Sequence, residues 1–415
     1  MSILKKETIC QLCDQQRTLV SDHNESFMSV LGQFVPITVH HIRSGTQCFD
    51  WTVPQKWNLH KAILSDTDGN TILNSKDNIL HVVNYSSPFR GRVSKPELDK
   101  HLHFDKNLPE AIPYRTSYYN SDWGLCLSKH SFDRLRNTEY DVDIDTSFSE
   151  GDMLIGEAII RGSKDKEVVL SSYYCHPNQA NDGLSGVLLL AELFNHMKYM
   201  DLKYTYRFFF WPETIGAIAA LSQRIITPKS IEYAIVSTTV GYGNRVHYKK
   251  TFKGNHSIDN IVEDLVENVD IRDYDPTGSD ERQFSSSGIR IPTGVLTLTP
   301  YQRYKEYHTS YDNPDLISED NIRRMVNIYK QVILEYEKHD KVTLATQGGE
   351  PFLTKYGMYR LIGTPGNTTS ETMRNWILHY ADGSKNIKDI SKLIGTDEET
   401  VRYWINIMKR KGVLL

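Results

Sequence analysis

The sequence predicts an α/β protein: a mostly parallel sheet flanked by helices, with a small inserted antiparallel β domain and a C-terminal winged helix. Three observations predict this class. Between about residues 150 and 340, apolar strand-like runs alternate with segments of helical period, as in parallel sheets covered by helices. Over 55–120 the runs are short and alternating, with turn signals such as Asp68-Gly69. After residue 340, three short helical segments end in an apolar run, which is the order of a winged helix.

We therefore expect an α/β domain from residues 1–54 and 121–340, an inserted β domain at 55–120 and a winged-helix domain at 345–415. Residues 4–32 are predicted to be helical. In the C-terminal domain, Thr364-Pro365-Gly366 indicates a loop. The α/β part has predicted strands at 37–42, 167–174, 204–211, 233–240 and 291–299. Its predicted helices lie at 184–198, 215–225, 257–268 and 317–338.

The composition excludes several classes of protein. Hydrophobic residues are 39% of the 415 and charged residues 24%, so a core can form and wholesale disorder is excluded. Lys plus Arg is 48 and Asp plus Glu is 52, and this net charge of −4 argues against polyanion binding by the whole chain. Five cysteines do not make a disulfide framework. With no signal-peptide pattern and no long apolar run, we expect a soluble cytoplasmic protein without membrane contact.

Polar side chains follow the predicted strands where each strand ends. His176 and Asp182 follow one strand, Glu213 follows the next, and His308 follows the last across a short loop. Asp280 lies shortly before that last strand. Because ligands of open α/β sheets bind beyond the carboxyl ends of the strands, we expect these side chains to converge. Imidazole and carboxylate groups bind Zn²⁺ while leaving a position open for water, and a free carboxylate can take the proton of that water.

Each of these residues also has an ordinary structural interpretation. His176 and His308 can be hydrogen-bonded loop residues, and Asp182 can cap the helix that follows it. Glu213 can favour the N-terminus of its helix. Asp280 can be a turn residue, a fourth metal ligand or an acceptor that orients a ligand. The coincidence at one sheet edge favours a metal site over these separate explanations.

Four motifs carry a resemblance to a known family. The runs CHPNQANDGLSG, WPETIGA, GSDERQF and YHTSYDNPD, in this order, resemble the co-catalytic zinc exopeptidases of the leucyl-aminopeptidase and glutaminyl-cyclase type. The chain is similar in particular to bacterial aminopeptidase-like proteins that carry a small inserted domain and a C-terminal winged helix. SGTQCFDW, IPYRTSYY and GEPFLTKYGMY also resemble that group, so the resemblance covers nearly the whole chain.

The resemblance implies a zinc exopeptidase-like fold, with His176, Asp182 and His308 as metal ligands and Glu213 as the general base. The chain departs from the two-zinc pattern at two ligand positions, where it has Thr214 and the run Ser237-Thr238-Thr239. One zinc ion is therefore expected. The implied function is a zinc-dependent amide or peptide hydrolase of aminopeptidase type, acting on a small peptide or on an N-acyl or aminoacyl metabolite. Its partners would be such substrates, and the sequence leaves open whether copies of the chain form a homo-oligomer.

Other functions have less support in the sequence. A protein that keeps the peptidase fold but only binds a ligand or partner is the main alternative, because two ligand positions have changed. A serine hydrolase lacks its GxSxG motif. A cysteine hydrolase on Cys175 and His176 meets the objection that adjacent residues on an extended chain point oppositely. Acidic residues at 397–399 begin the last predicted helix and would repel nucleic-acid phosphates.

Overall fold

The structure is a computed structural model that describes residues 2–338, 341–346, 348–358 and 369–415. The loop predicted at Thr364-Pro365-Gly366 lies outside these residues. Contacts divide the chain into two compact units, residues 1–252 with 268–330, and residues 253–267 with 331–415. None of the helices in the described ranges combines the length and the apolar character that crossing a bilayer requires.

The described helices are α1 (Lys6–Cys13), α2 (His23–Leu31), α3 (Lys95–Leu98), α4 (Lys129–Asp133), α5 (Ser185–Met197), α6 (Ile215–Ser222), α7 (Ser257–Leu265), α8 (Glu281–Phe284), α9 (Glu319–Lys338), α10 (Thr369–Tyr380), α11 (Ile387–Ile394) and α12 (Glu398–Arg410). The described strands are β1 (Thr38–Arg43), β2 (Gln47–Cys48), β3 (Trp51–Thr52), β4 (Lys56–Asp66), β5 (Thr71–Asn74), β6 (Phe89–Ser94), β7 (Leu102–His103), β8 (Leu125–Cys126), β9 (Glu139–Ser149), β10 (Asp152–Ile160), β11 (Glu167–Tyr173), β12 (Thr205–Trp211), β13 (Ile231–Val236), β14 (His247–Lys249), β15 (Asp270–Arg272), β16 (Thr293–Thr297), β17 (Lys341–Thr343) and β18 (Asp382–Asn386).

An eight-stranded sheet forms the centre of the first unit, in the order β1-β10-β12-β11-β13-β16-β14-β15. The four middle strands β12, β11, β13 and β16 are parallel, and β10 and β14 pair antiparallel on either side of them. All seven residues of β12 and six of the seven in β11 are buried, as expected for strands covered on both faces. This confirms the predicted α/β class and brings the carboxyl ends of β11, β12 and β13 to one edge.

The predicted strands and helices of the α/β part are present with bounds that shift by a few residues, but the helix predicted at 257–268 is α7, which belongs to the second unit. The predicted helical region 4–32 is two helices, α1 and α2, separated by residues 14–22. Strands β10, β14 and β15 extend the sheet beyond the strands predicted from the sequence. β14 and β15 have three residues each, too few to show a period.

A second, four-stranded sheet in the first unit is antiparallel throughout, in the order β5-β4-β9-β6. Its longest pairing joins β4 to β9, a strand at 139–149. The small antiparallel sheet is therefore present, and it takes one strand from beyond residue 120. The domain limits stated above remain predictions.

The second unit contains α7, α10, α11, α12 and the antiparallel pair β17–β18. Its core consists of buried apolar side chains from the three C-terminal helices and the last residues, including Ile377, Ile390, Val401, Ile405, Met408 and Val413. An isolated pairing joins Leu344 to Leu414 in place of the closing strand expected from the apolar end. Three helices in this order agree with the predicted winged helix.

Candidate metal centre

His176 lies on the loop that follows β11 and is 4% exposed. Arg17 lies on the segment that connects α1 to α2, and its side chain is buried. Its Nη2 donates to the carbonyl oxygens of His176 at 2.8 Å and Gln179 at 3.3 Å, and these bonds hold the loop in place. Burial lowers the pKa of His176 to about 4. The imidazole is therefore neutral near pH 7, which is the form that binds metals.

Asp182 lies in the tight turn 180–184 between β11 and α5. Asp312 organises this turn by accepting the backbone N–H groups of Ala180, Asn181 and Asp182 at 3.0, 2.5 and 3.1 Å. Gly183 has φ +85°, and a Cβ there would lie 2.7 Å from the Tyr173 carbonyl oxygen, so only glycine fits. The turn thus fixes the direction in which the Asp182 side chain leaves the backbone.

The two carboxylate oxygens of Asp182 have different surroundings. Oδ1 accepts the Tyr173 hydroxyl at 2.5 Å, whereas Oδ2 lies 2.9 Å from Nε2 of His308. Burial by itself would raise the pKa of Asp182, but His176, His308 and Tyr173 outweigh it and lower the pKa to about 2. Asp182 is therefore ionised across the physiological range.

His308 comes from the loop between β16 and α9 and has a left-handed backbone, φ 55°. Its carbonyl oxygen accepts the Tyr114 N–H at 2.7 Å, and its ring stacks on Tyr307 with centroids 4.0 Å apart. Tyr114 packs edge-on against the same ring at 5.2 Å. Two neighbouring aromatic rings, one stacked and one edge-on, thus restrict the imidazole.

The structure brings together all three predicted ligands. One ligand atom from each of His176, Asp182 and His308 lies within 4.8 Å of the other two. Although Oδ2 of Asp182 and Nε2 of His308 are close, both are buried and neither has a hydrogen-bond partner of acceptable geometry. Leaving such atoms unpaired is costly, and a shared cation would satisfy both. The donor set of two imidazoles and one carboxylate fits zinc with a position left open.

Glu213 follows β12 and lies beside these residues. Its Oε2 is 3.7 Å from Nε2 of His176, and its Oε1 accepts the Ser279 hydroxyl at 2.6 Å. Burial, reinforced by the nearby Asp182 and Asp280, raises the pKa of Glu213 to about 8. A carboxyl group with a pKa near neutrality is suited to exchange protons, and a divalent cation beside it would favour its ionised form.

Asp280 is buried next to Glu213, and both of its oxygens are used. Oδ1 accepts the Thr214 N–H at 2.7 Å and Oδ2 accepts Trp211 Nε1–H at 2.8 Å. Thr214 has φ 66°, so this contact holds an unusual backbone directly after Glu213. The geometry favours the interpretation of Asp280 as a residue that orients the Glu213 loop over that of a fourth ligand.

Cys175 and His176 do not point in opposite directions, as was expected for neighbours on an extended chain. Sγ of Cys175 lies 3.5 Å from Nδ1 of His176, because the two residues lie beyond the end of β11 and are not in extended-strand alternation. The chemistry nevertheless opposes a cysteine nucleophile. Cys175 Sγ accepts the Glu213 N–H at 3.2 Å, and burial raises the pKa of the thiol well above its usual value.

Several residues that shape the site were not singled out from the sequence. They share the role of holding a predicted site residue in place, and they are Arg17, Tyr173, Thr238, Ser279 and Asp312. Asp312 lies within the YHTSYDNPD motif, and Thr238 lies where a ligand was noted as changed. Ser279 also lies within a quoted motif, GSDERQF, so these three positions could have been found from the sequence, whereas Arg17 is far from the motifs and could not.

Two family models match the chain. The model described as "Domain of unknown function (DUF4910)" matches residues 6–339, and one described as "winged helix-turn-helix" matches residues 341–415. A Clostridium acetobutylicum protein named "Putative polysaccharide biosynthesis protein with aminopeptidase-like domain" is 36% identical over 403 residues, which are 96% of this chain and 93% of that protein.

Solved structures show the same fold. The crystal structure of a "putative peptidase" from Clostridium acetobutylicum has a TM-score of 0.79 and 34% identity, covering 99% of this chain and 95% of that chain. A zinc aminopeptidase from Bacillus subtilis has a TM-score of 0.57 at 12% identity, covering 80% and 95%. A peptidase M28 precursor from Shewanella amazonensis has a TM-score of 0.56 at 11% identity, covering 80% and 93%. The chain therefore belongs to the DUF4910 family, shares the fold of the zinc aminopeptidases and carries a winged helix-turn-helix over residues 341–415.

Proposed function

We propose that the protein is a zinc-dependent amide or peptide hydrolase of aminopeptidase type. The observation that carries the proposal is the cluster of His176, Asp182 and His308, with two buried atoms left unpaired and facing each other. A half-buried carboxyl group, Glu213, lies 3.7 Å from one member of the cluster. These side chains follow strands of the parallel sheet, at the edge where ligands of such sheets bind, and the likeness of the fold to a zinc aminopeptidase supports the hydrolase class.

We propose that the site holds one ion. Oδ2 of Asp182 faces His308 without a hydrogen-bond partner, whereas Oδ1 accepts the Tyr173 hydroxyl. An oxygen that already accepts a buried hydroxyl is the weaker donor toward a second cation, which favours one ion over two. The residue after Glu213 is Thr214, which has no carboxylate. This position therefore adds no ligand for a second metal ion.

Each residue of the site has its own role in the proposed reaction. Zinc held by His176, Asp182 and His308 would supply a Lewis acid that polarises a carbonyl group and activates water. Glu213 is placed to accept a proton from the attacking water and to return it to the leaving amine. Ser279 donates to one Glu213 oxygen, which leaves the other oxygen directed toward His176.

For the substrate we propose a short peptide or an N-acyl or aminoacyl metabolite. Tyr307 is partly exposed and stacks on His308, so aromatic surface lies beside the cluster, and such surface suits small molecules. The relative named for polysaccharide biosynthesis supports the inclusion of N-acyl sugars among the candidates.

The test begins with the metal content of the purified chain, where one zinc per chain is expected. Hydrolysis is then measured on aminoacyl amides, dipeptides and N-acetyl sugars, before and after treatment with a chelator and after zinc is restored. Glu213→Gln should retain zinc and lose about 10²–10⁴-fold in turnover, the contribution typical of a positioned proton carrier. Glu25→Gln, an exposed change on α2, is the control and should keep full activity.

The same experiment decides against the alternative of a peptidase fold that only binds. A chain that binds zinc but hydrolyses none of the amides, and whose Glu213→Gln variant binds the same small molecules as the wild type, would support the binding function. Absence of zinc from the wild-type chain, even after incubation with excess metal, would overturn both the hydrolase and the metal site.

A further inference from the structure

A line of hydroxyl groups connects two strand ends to the Asp182 carboxylate. The Gly183 N–H donates to Thr238 Oγ1 at 3.1 Å, and Thr238 Oγ1–H donates to the Tyr173 oxygen at 3.0 Å. Tyr173 O–H in turn donates to Asp182 Oδ1 at 2.5 Å. All four residues are buried, and Thr238 and Tyr173 are at most 1% exposed.

The direction of this line is fixed at both ends. A backbone N–H can only donate, so Thr238 accepts from Gly183 and must use its single proton toward Tyr173. An ionised carboxylate can only accept, so the Tyr173 proton must point to Asp182. Hydrogen bonds aligned in this way polarise one another, and the last bond, to the carboxylate, is the one strengthened.

The packing around Tyr173 allows little freedom. Its ring lies 5.1 Å from the His176 ring, and its ring atoms would be 2.9 Å from any Cβ at Gly183. Tyr173 ends β11, and Thr238 follows β13, which pairs with β11 in parallel. The line therefore ties Asp182 to the rigid sheet, independently of the turn that carries Asp182.

We infer that Tyr173, set by Thr238, is a positioning residue that turns Asp182 so that Oδ2 alone faces His308 and a single zinc ion. The inference rests on the proposed function, because it concerns how the same site receives its metal. Outer partners that orient a ligand in this way typically contribute about 10–100-fold to metal affinity.

The test is a double-mutant cycle on zinc affinity, measured by competition with a chromogenic chelator. Tyr173→Phe removes only the hydroxyl and should weaken zinc binding by about 10–100-fold. Thr238→Val should weaken zinc binding less in the wild-type background and hardly at all in the Tyr173→Phe background, since Thr238 acts through Tyr173. Thr238→Ser keeps the hydroxyl and should restore wild-type affinity.

Tyr174→Phe is the matched control. Tyr174 is the next residue, equally buried, and its hydroxyl donates to the Leu154 carbonyl oxygen at 2.8 Å. The Tyr174→Phe substitution should lower the thermal stability of the metal-free chain by as much as Tyr173→Phe does, and it should leave the zinc affinity unchanged. This comparison separates positioning of the ligand from general loss of stability.

Any one of three results would overturn the inference. Tyr173→Phe could bind zinc with wild-type affinity, or Thr238→Val could weaken zinc binding equally in the wild-type and Tyr173→Phe backgrounds. In the third result, Tyr174→Phe would weaken zinc binding as much as Tyr173→Phe does. In each case a wild-type chain that binds zinc tightly leaves the proposed function intact. A wild-type chain that binds no zinc overturns the proposed function itself, so the two failures are distinguishable.

Discussion

The two units of the chain use buried polar side chains in opposite ways. In the C-terminal unit, Asp389 is buried and accepts the Asn386 N–H, the Ser257 hydroxyl and the Asn260 amide. None of the described side chains of that unit leaves a buried polar atom without a partner. At the strand ends of the first unit, in contrast, Asp182 and His308 each leave one.

The difference shows how a site can be told from a structural network. The oxygens of a capping carboxylate accept hydrogen bonds from backbone N–H groups. These bonds stabilise a helix end and require no ligand from outside the chain. Other side chains of the first unit also leave buried polar atoms unpaired, but Oδ2 of Asp182 and Nε2 of His308 lie 2.9 Å apart beside a further metal-binding side chain, His176, so that one cation would satisfy both.

The largest effect should come from His176→Ala. Removal of one of three ligands should weaken zinc binding by more than about 100-fold, beyond the range typical of partners that only orient a ligand. Chelator competition measures the affinity. His196→Ala, at an exposed histidine in the last turn of α5, is the control and should bind zinc normally. Full zinc occupancy in the His176 variant would exclude this ligand set.

Asp280→Asn should lower stability and leave zinc affinity unchanged. An amide in that place can accept from the Thr214 N–H or from Trp211 Nε1–H but not from both, so one buried donor loses its partner. The expected cost is about 1–3 kcal/mol in the free energy of unfolding. Denaturant titration and zinc competition on the same sample measure the two quantities. Loss of zinc at unchanged stability would instead identify Asp280 as a ligand.

Asp389→Ala should destabilise the C-terminal unit alone. The capping box with Asn386 is lost at the start of α11, with an expected cost of about 1–2 kcal/mol. Hydrogen exchange of the α11 amides should accelerate, while zinc affinity and hydrolysis stay at wild-type values. A change in zinc affinity would show that the polar side chains of the two units are not as independent as the contrast above requires.

The smallest effect should come from Asp264→Asn. Asp264 pairs with Lys388 at 3.0 Å and Lys392 at 2.8 Å, and partly exposed pairs of this kind contribute about 0.2–1 kcal/mol. Burial opposes the shift, but the hydrogen bonds from Lys392 and Lys388 lower the pKa of Asp264. Its contribution is therefore present above the unfolded-state pKa and is lost as the pH falls through the folded-state pKa. The stability difference from wild type, followed in acid, should vanish; a difference that persists there would contradict this account.

Much of the fold followed from local patterns in the chain. The central strands β11 and β12 are continuous apolar runs, and the helix after β11 has apolar residues at helical spacing, so their predictions are confirmed. Strand β9 could not be placed by such patterns, because its pairing with β4 joins segments more than 70 residues apart only in the folded chain.

The residues His176, Asp182, Glu213 and His308 were found from the sequence because each follows a strand whose end lies at one edge of the sheet. Their assignment as ligands and base remains a prediction. Only the tertiary structure decided which carboxylate oxygens stay free: Oδ2 of Asp182 does, while both oxygens of Asp280 are taken. The physical reason is that residue type and strand position are local properties, whereas hydrogen-bond saturation depends on partners such as Tyr173 and Trp211 that arrive from separate strands of the sheet.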